Sequence, residues 1–264
     1  MKSVLKIAAY QAGCYHKIRP DVADMAEQYV SLAEKSHQAW SAQKGALPVM
    51  PPTICFSRKI GVGALEVADG LANKLGVRVA DPLIIEHIAD NAALKEKTIR
   101  FFDERYPGKI AELGAFLIGE KSFVMSNYVR ALFIAIYTLA ETGPTIFVGR
   151  GAHLVLPRDR VLAVRLICSK SYRIDRLSKM YTLSYTEAEK KLDEVDEEQR
   201  SFFKKVFKRK DASPYEFDLV LNMDFIQNPG WAVEIVHTAF RTKFKTEQRE
   251  RIFDRLHPKI RSTF

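Results

Sequence analysis

The segment TICFSRKIGVGALEVADGLANKLG, residues 53–76, constrains the fold more than any other part of the chain. TICFS predicts a buried strand, and the amphipathic stretch from Ala64 to Leu75 predicts a helix that ends at Gly76. Between them, Gly61 and Gly63 permit a tight curl in which consecutive backbone N–H groups point inward, next to the positive end of the helix. A strand, a glycine turn and a helix in this order are the usual setting of a phosphate-binding loop.

The rest of the chain alternates between strand and helix patterns. Further strands are predicted at 77–81, 145–149, 161–169 and 218–224, with helical patterns in the intervening segments. Parallel strands need crossover connections, which are usually helices, so the alternation predicts a parallel sheet. We therefore expect an α/β fold with three layers, α/β/α.

The composition is consistent with one such domain and bears on the cellular compartment expected for it. The chain has 264 residues, of which 47% are hydrophobic and 28% charged, so it can bury a core. No apolar run reaches the length of about 20 residues that spans a bilayer, and no signal peptide is recognisable. The three cysteines are far apart in sequence, which is typical of reduced thiols. We expect a cytoplasmic protein that does not bind membranes.

The positive charge is concentrated at the C-terminus. The formal net charge is +9, and residues 241–264 contain eight basic and three acidic residues. Such a charge suits phosphate-bearing small molecules as well as nucleic acid. Because no helix-turn-helix or stacking-aromatic pattern accompanies it, a nucleic-acid partner acting through the basic tail is the less favoured interpretation. Near the N-terminus, a helical pattern over residues 22–43 is a candidate packing element or a contact in a homodimer.

The candidate phosphate loop lacks two side chains that such loops usually have. The pattern GxxxxGK[ST] supplies a lysine for the β- and γ-phosphates and a hydroxyl for Mg²⁺. Ala64 takes the place of the lysine and Leu65 that of the hydroxyl, although Arg58 and Lys59 could supply charge from the other end of the loop. The alternative is a plain strand–turn–helix corner. The loop comprises Ser57, Arg58, Lys59, Ile60, Gly61, Val62, Gly63, Ala64 and Leu65.

A second glycine turn follows the apolar strand TIFVG. It places Arg150, between Gly149 and Gly151, at the C-terminal end of that strand, where open parallel sheets bind ligands. The planar guanidinium can hold a phosphate by two hydrogen bonds, although an arginine paired at a sheet edge is the alternative interpretation. Further along, a helix carries Arg173 and Arg176.

A helical hairpin then contains the charged residues Asp196, Glu197 and Arg200. A carboxylate and an arginine three or four residues apart share one helix face. They can belong to a binding site or form a surface ion pair.

Taken in order, these motifs resemble the cytidylate kinase-like family, a branch of the P-loop nucleoside monophosphate kinases. The family pattern is a strand with S-R-x-x-G-S-G-G, an aspartate after the second strand, V-G-R-G-A, and a lid segment rich in acids and arginines. The matching residues are Ser57-Arg58, Gly61 to Ala64, Asp81, Val148 to Ala152 and Asp196 to Arg200. The resemblance covers about residues 53–240, and VGRGA is its most specific part.

The resemblance implies a fold and a domain plan. The fold would be that of the P-loop NTPases, nucleoside monophosphate kinase-like, over residues 53–240. Within it, residues 92–140 would form a helical acceptor-side insert and residues 177–208 a helical lid. Residues 1–52 would be a helical extension with a linker, and residues 241–264 a basic tail.

The resemblance also implies roles for the acceptor side. Arg150 would hold the monophosphate of the acceptor, and Gly151 stands where true cytidylate kinases have an aspartate. Glu197 and Arg200 are similar to the D-x-x-R pair that lies over the cytidine, with Glu for Asp. Asp81, similar to the aspartate that closes the second strand, completes the predicted acceptor-binding set, although Pro82 follows it where true kinases have a serine.

By the same resemblance, four cations would carry catalysis. Arg58, Lys59, Arg173 and Arg176 would share the charge of the transferring phosphate. The implied function is phosphoryl transfer from ATP, with Mg²⁺, to CMP or another nucleoside monophosphate, and no metal site made of protein ligands is expected. The family itself lacks the loop lysine, but Val62 and Ala64 depart further from its pattern. The alternative is a catalytically impaired nucleotide-binding or regulatory protein that retains the kinase fold.

Overall fold

A computed structural model describes residues 22–43, 49–106, 108, 126–209, 211–226 and 228–245. Several segments named above therefore lie outside the described residues. They are the first 21 residues of the N-terminal extension, linker residues 44–48, most of the insert between 107 and 125, and residues 246–264 of the basic tail.

The core is a five-stranded parallel sheet in the order β2-β3-β1-β4-β5. The strands are β1 (Thr53–Arg58), β2 (Arg78–Ala80), β3 (Thr145–Val148), β4 (Val161–Ile167) and β5 (Leu219–Asn222). The central strand β1 pairs with β3 on one side and β4 on the other, with Ile54 beside Ile146 and Leu162. The predicted three-layer parallel α/β fold is confirmed.

Helices connect the strands and cover both faces of the sheet. They are α1 (Val22–Gln43), α2 (Ala64–Leu75), α3 (Pro82–Asp90), α4 (Ala92–Arg105), α5 (Asn127–Glu141), α6 (Ala152–Val155), α7 (Lys170–Tyr181), α8 (Tyr185–Phe207) and α9 (Pro229–Lys243). Short 3₁₀ turns occupy Arg158–Arg160 and Pro214–Glu216. In the part of the chain that is described, no helix combines the length and apolarity needed to cross a bilayer.

The alternation of side chains along the strands divides the core into two layers. Ile54 and Phe56 of β1 pack with α2 and α9, whereas Cys55 packs with α3 and α5 on the opposite face. These side chains are about 1% exposed. Because each fully buried large apolar side chain contributes roughly 1.5–3 kcal/mol, the two layers hold the strand ends, and the loops that follow them, in fixed positions.

Helix α1 packs on the same face as α3 and α5. Its buried side chains are Ala26, Tyr29, Val30 and Ala33, while Leu32 is 49% exposed. The Tyr29 hydroxyl donates to the carbonyl oxygen of Val79 in β2, at 3.4 Å. This part of the N-terminal extension is therefore built into the core, whereas the homodimer contact stays a prediction.

Candidate phosphate-binding site

A cavity of about 250 Å³ opens at the C-terminal end of the sheet, between the strands and helix α8. It brings together six of the residues that the sequence analysis singled out: Ser57, Arg58, Lys59, Arg150, Gly151 and Arg200. It also contains Arg165, Asp196, Asp211, Gln199, Phe202 and Phe203. Its position agrees with the rule that ligands of open parallel sheets bind beyond the carboxyl ends of the strands.

Three neighbouring strands each contribute an arginine to this cavity. Arg58 ends β1, Arg150 follows β3, and Arg165 lies near the end of β4, and these strands are adjacent in the order β3-β1-β4. The Nε atoms of Arg58 and Arg150 are buried and donate to no group in the described part of the chain. Since strand ends are fixed by the sheet, the three guanidinium groups form a preorganised positive site.

The second turn, Gly149 to Gly151, has an unusual backbone. Its three residues have φ angles of 82°, 51° and 69°. Such a conformation is uncommon for a residue with a side chain and is often found at functional sites. It directs the Arg150 guanidinium over the Phe202 ring, 4.5 Å from the ring centroid, with Nη2 2.6 Å from Glu86 Oε1. The turn thus holds one arginine at the mouth of the cavity.

Glu86 has a second neighbour at this position. The Tyr128 hydroxyl donates to Glu86 Oε1 at 3.4 Å. Burial and the negative charge of Glu86 raise the pKa of Tyr128 to about 12. Tyr128 is therefore neutral at physiological pH and can act as a hydrogen-bond donor that orients the partner of Arg150.

Gly151 has no space for a side chain. A Cβ atom at this position would lie 2.3 Å from Cζ of Phe207, which ends helix α8. The ring of Phe207 is about 1% exposed and packs 5.8 Å from the centroid of Phe133. The departure from the aspartate of true cytidylate kinases is therefore part of the packing of α8 onto the sheet.

The first turn, Ser57 to Leu65, supplies backbone rather than side chains. Gly61 and Gly63 have φ angles of 82° and 89°, and α2 begins at Ala64 with no side-chain cap from the described residues. The side chains of Ile60, Val62, Ala64 and Leu65 are all 5% exposed or less, since they pack into the core. The substitutions that remove the usual lysine and hydroxyl therefore fill the core beneath the turn.

Helix α7 lies directly against the first turn. A Cβ atom on Gly61 would be 3.1 Å from Cβ of Arg173, and one on Gly63 would be 3.4 Å from Nη2 of Arg176. The predicted catalytic arginines thus reach the turn. The Ser169 hydroxyl caps α7 by accepting from the Tyr172 N–H, which sets the helix orientation.

Carboxylates of the chain itself engage the cations beside the first turn. Arg173 Nη1 donates to both Asp196 oxygens, at 2.9 and 3.0 Å, and both residues are buried. Lys59 Nζ lies 3.9 Å from the same carboxylate. Arg176 Nη2 is 2.5 Å from Oε1 of Glu66, which lies in the first turn of α2. This side of the site is therefore largely charge-compensated.

Two predicted acceptor-binding residues lie elsewhere. Asp81 is fully buried and caps α3 by accepting from the backbone N–H groups of Leu83 and Ile84, at 3.0 and 3.1 Å. The Glu197 side chain is 66% exposed, outside the cavity lining, and pairs with Arg200 at 2.7 Å. Acceptor binding by Asp81 and Glu197 stays a prediction, and Asp196 is the carboxylate of α8 that faces the cavity.

Sequence reasoning missed Arg165 and selected Glu197 rather than Asp196. Both missed residues are charged positions inside apolar patterns: Arg165 interrupts the strand VLAVRLI, and Asp196 follows Leu192 by one helical turn, on the buried stripe of α8. A charge on an otherwise buried face requires compensation. That signal marks both residues as charges that need a partner, but the partner comes from another segment of the chain.

His153 lies beneath the second turn and is 5% exposed. Burial, with smaller contributions from the charges of Arg165, Arg158 and Arg209, lowers the pKa of His153 to about 4. The Glu216 carboxylate is 3.5 Å from Nε2, but Glu216 also binds Arg209, so its influence on the histidine is the weaker one. His153 is neutral at physiological pH and forms part of the packing under the cavity.

Comparison with known proteins agrees with this geometry. The described parallel sheet has two glycine turns at adjacent strand ends, within a three-layer α/β fold. The profile of the cytidylate kinase-like family matches residues 53–225, and the chain belongs to this family. The comparison with curated proteins gave no match.

Two solved structures are similar to the chain. A crystal structure of an uncharacterized protein from Eubacterium ventriosum ATCC 27560 superposes with a TM-score of 0.57 and 14% identity, over 72% of this chain and 98% of that one. A shikimate kinase from Bacteroides thetaiotaomicron gives a TM-score of 0.37 and 15% identity, over 74% of this chain and 98% of that one. At this identity, the first similarity concerns the fold alone.

Proposed function

We propose that the protein transfers a phosphoryl group from ATP to CMP or another nucleoside monophosphate. Membership of the cytidylate kinase-like family supports a nucleotide kinase-like function. The observation that carries the proposal is the convergence of Arg58, Arg150 and Arg165 on one cavity at the strand ends. Arginine forks match the geometry of phosphate oxygens, and a preformed group of them suits a phosphate monoester.

The residues of the first turn fit the phosphates of ATP. The uncapped N-terminus of α2, preceded by the positive-φ glycines, offers backbone N–H groups, and Arg176 lies 3.4 Å from the Gly63 Cβ position. Mg²⁺, when bound, would neutralise charge between phosphate oxygens. Leu65 replaces the usual hydroxyl ligand, and no cluster of three or more metal-binding side chains lies among the described residues. Mg²⁺ commonly relies on substrate phosphates and water.

In this proposal, catalysis consists of positioning and charge neutralisation, as in other phosphoryl transfers. Arg150 holds the acceptor phosphate, and Arg58 and Lys59 of the first turn line the same cavity. Arg173 and Arg176 approach from the lid side. The buried pair of Arg173 with Asp196 fixes α7 against α8, so that the cations on both helices keep their positions relative to the sheet.

The second candidate is a nucleotide-binding protein without transfer activity. It is favoured by the pairing of Arg176 with Glu66 and of Arg173 with Asp196, since cations already engaged by carboxylates neutralise transferring charge less well. The absence of the loop lysine points in the same direction. Binding without turnover distinguishes this candidate from the first.

A coupled assay of ADP release, with ATP, Mg²⁺ and each nucleoside monophosphate at micromolar protein concentration, tests the proposal. We expect turnover with at least one acceptor, and a loss of about 10²- to 10³-fold in kcat/KM for Arg150→Ala, the typical effect of removing one transition-state charge contact. Arg130→Ala is the matched control, because Arg130 pairs with Asp103 outside the cavity. If no acceptor gives turnover but nucleotides raise the Tm, the second candidate holds; if neither occurs, both are wrong.

A further inference from the structure

Arg165 is a partly buried cation whose described partners compensate its charge only in part. Strand β4 lies between β1 and β5, and the strand neighbours Val164 and Leu166 are 1% exposed or less. The Arg165 side chain itself is 15% exposed. Removing a guanidinium from water costs several kcal/mol unless it is well paired, and an apolar residue at such a position is often as stabilising or more so. Packing alone therefore does not account for this residue.

Among the described residues, Arg165 has a hydroxyl and a solvent-facing carboxylate as hydrogen-bonding partners, and its guanidinium lies 5.8 Å from the centroid of the Phe217 ring. Nη1 donates to Ser57 Oγ at 2.7 Å, across the β1–β4 pairing in which these two residues are neighbours. Nη2 lies 3.2 Å from Oδ1 of Asp211, whose side chain is 67% exposed. An ion pair with a solvated carboxylate contributes little, and such a partner is readily exchanged for another anion.

The position of Arg165 indicates which anion could replace Asp211 as its partner. It shares the cavity with Arg58 and Arg150, on three adjacent strands. The acidic side chains in the same lining are Asp196, which Arg173 binds, and Asp211, while Glu86 engages Arg150 from outside the lining. A phosphate monoester with two negative charges would complement the three guanidinium groups.

We propose that Arg165 is a direct ligand of the acceptor phosphate, and that Asp211 occupies its guanidinium until the acceptor binds. This inference rests on the proposed function, in that the acceptor is a phosphate monoester. It adds a third arginine, from a strand that the family motifs do not include, to the acceptor subsite. The step is an exchange of hydrogen-bond partners, with no covalent bond made or broken.

Two structural roles compete with this proposal. Arg165 could serve only to hold the Ser57 hydroxyl in the first turn, or only to anchor the segment that contains Asp211. In the first role, Ser57→Ala should lower the affinity for the monophosphate as much as removing Arg165 does. In the second role, Asp211→Asn should do so. If Arg165 binds the phosphate directly, Ser57→Ala should weaken phosphate binding less than removal of Arg165 does. Asp211→Asn should not weaken binding and can strengthen it.

The test is isothermal titration with CMP, the other nucleoside monophosphates and inorganic phosphate, using the full-length protein and Arg165→Met, Asp211→Asn and Ser57→Ala variants. Methionine is apolar and of similar length, so we expect Arg165→Met to have a Tm equal to or above that of the wild type. We expect it to weaken binding of the preferred monophosphate about tenfold to a hundredfold, the range for losing a charge-assisted hydrogen bond. Asp211→Asn should bind equally or more tightly, and Ser57→Ala should lose less than threefold.

Arg158→Gln is the matched control, since Arg158 lies just before the same strand and pairs with Asp218 outside the cavity. Arg165→Lys keeps the charge but loses the planar guanidinium, so we expect an affinity between those of the wild type and Arg165→Met. It replaces Arg165→Met in the test if that variant does not fold. A structural role replaces the proposal if Arg165→Met loses the same affinity for the monophosphate as Asp211→Asn. The same holds if it loses the same affinity as Ser57→Ala. If the wild type binds a monophosphate and Arg165→Met binds it equally well, only this inference is wrong. If the wild type binds none of the probes, the proposed function fails as well.

Discussion

The two glycine turns of the site lie side by side at the ends of β1 and β3, yet they present different groups to the cavity. In the first turn, glycine conformations curl the backbone, and the side chains of Ile60, Val62, Ala64 and Leu65 fill the core. In the second turn, the same left-handed conformations extend to Arg150, whose guanidinium reaches the cavity. One turn therefore supplies peptide N–H groups, and the other positions a charge.

The surroundings of the two turns differ as well. Carboxylates of the chain engage the cations beside the first turn, Arg173 and Arg176. Beside the second turn, Glu86 engages Arg150 in a similar way, whereas Arg165 of the neighbouring strand pairs with Asp211, whose side chain is 67% exposed. In the proposed function, an anion therefore displaces internal carboxylates on both sides, and the exchange is easiest where the internal partner is solvent-exposed, at Arg165. Four predictions test this comparison.

The largest effect is expected for Asp196→Ala, which breaks the buried pair beside the first turn. Removing one partner leaves the Arg173 guanidinium buried and uncompensated, which costs about 3–5 kcal/mol. Glu197→Ala is the matched control: the adjacent residue forms an exposed pair with Arg200, worth at most about 1 kcal/mol. The free energy of unfolding from urea titrations measures both. Similar values for the two variants would show that Arg173 is solvated after the change, and that α7 is not fixed by this pair.

A smaller but clear difference is expected between alanine substitutions in the two turns. Gly151→Ala combines a strained backbone with a Cβ that would lie 2.3 Å from the Phe207 ring, and we expect a loss of about 2–4 kcal/mol. Gly63→Ala meets the ends of the flexible Arg176 and Glu66 side chains, at 3.4 and 3.6 Å, so its cost is about 1–2 kcal/mol of backbone strain. Urea titration again measures the loss, and Phe207→Leu in the Gly151→Ala background should recover part of it. Equal losses in the two turns would contradict the role of Phe207.

The third prediction concerns the histidine beneath the second turn. His153 has a pKa of about 4 in the folded protein and about 6.5 when unfolded. Above pH 6.5 neither state binds the proton. As the pH falls from 6.5 toward 4 the unfolded state binds it first, so stability is lost over this range, by about 2 kcal/mol between pH 7 and 5.

The measurement is the free energy of unfolding from pH 7 to 5, in the wild type and in His153→Gln. The difference between the two curves removes the contribution of other groups that titrate in this range. A pH dependence that persists unchanged in His153→Gln would mean that the histidine is hydrated or stays paired with Glu216 when charged.

These contrasts also explain how far sequence could predict the molecule. The first turn and α2 were predictable because an apolar strand, two glycines and an amphipathic helix are all local patterns. Arg150 was predictable because VGRGA places it directly after a buried strand. Local patterns also fix which ends of the strands meet, since a parallel sheet gathers all its carboxyl ends at one edge.

The rest depended on contacts between segments far apart in sequence. Gly151 meets Phe207 across 56 positions, and nothing near either residue indicates the contact. The choice between Asp196 and Glu197 depends on the rotation of α8 about its axis, and one position moves a side chain by about 100°. Arg165 could be recognised only when its strand was known to lie beside β1. Sequence therefore predicted the architecture, whereas the contacts that place individual side chains in the cavity depend on long-range packing.

The smallest effect is expected beside the first turn, for Glu66→Gln. This change removes the carboxylate that engages Arg176 beside the first turn, and we expect ATP to bind severalfold more tightly because the guanidinium is then available to phosphate. The helix should lose about 0.3–1 kcal/mol of stability, since Glu66 lies in its first turn. Isothermal titration with ATP and Mg²⁺ measures the affinity. Glu234→Gln is the control, because it removes a carboxylate paired with Lys74 at the opposite end of α2. Weaker binding of ATP in Glu66→Gln would reverse the interpretation, because Glu66 would then orient Arg176 toward the nucleotide instead of competing with its phosphates.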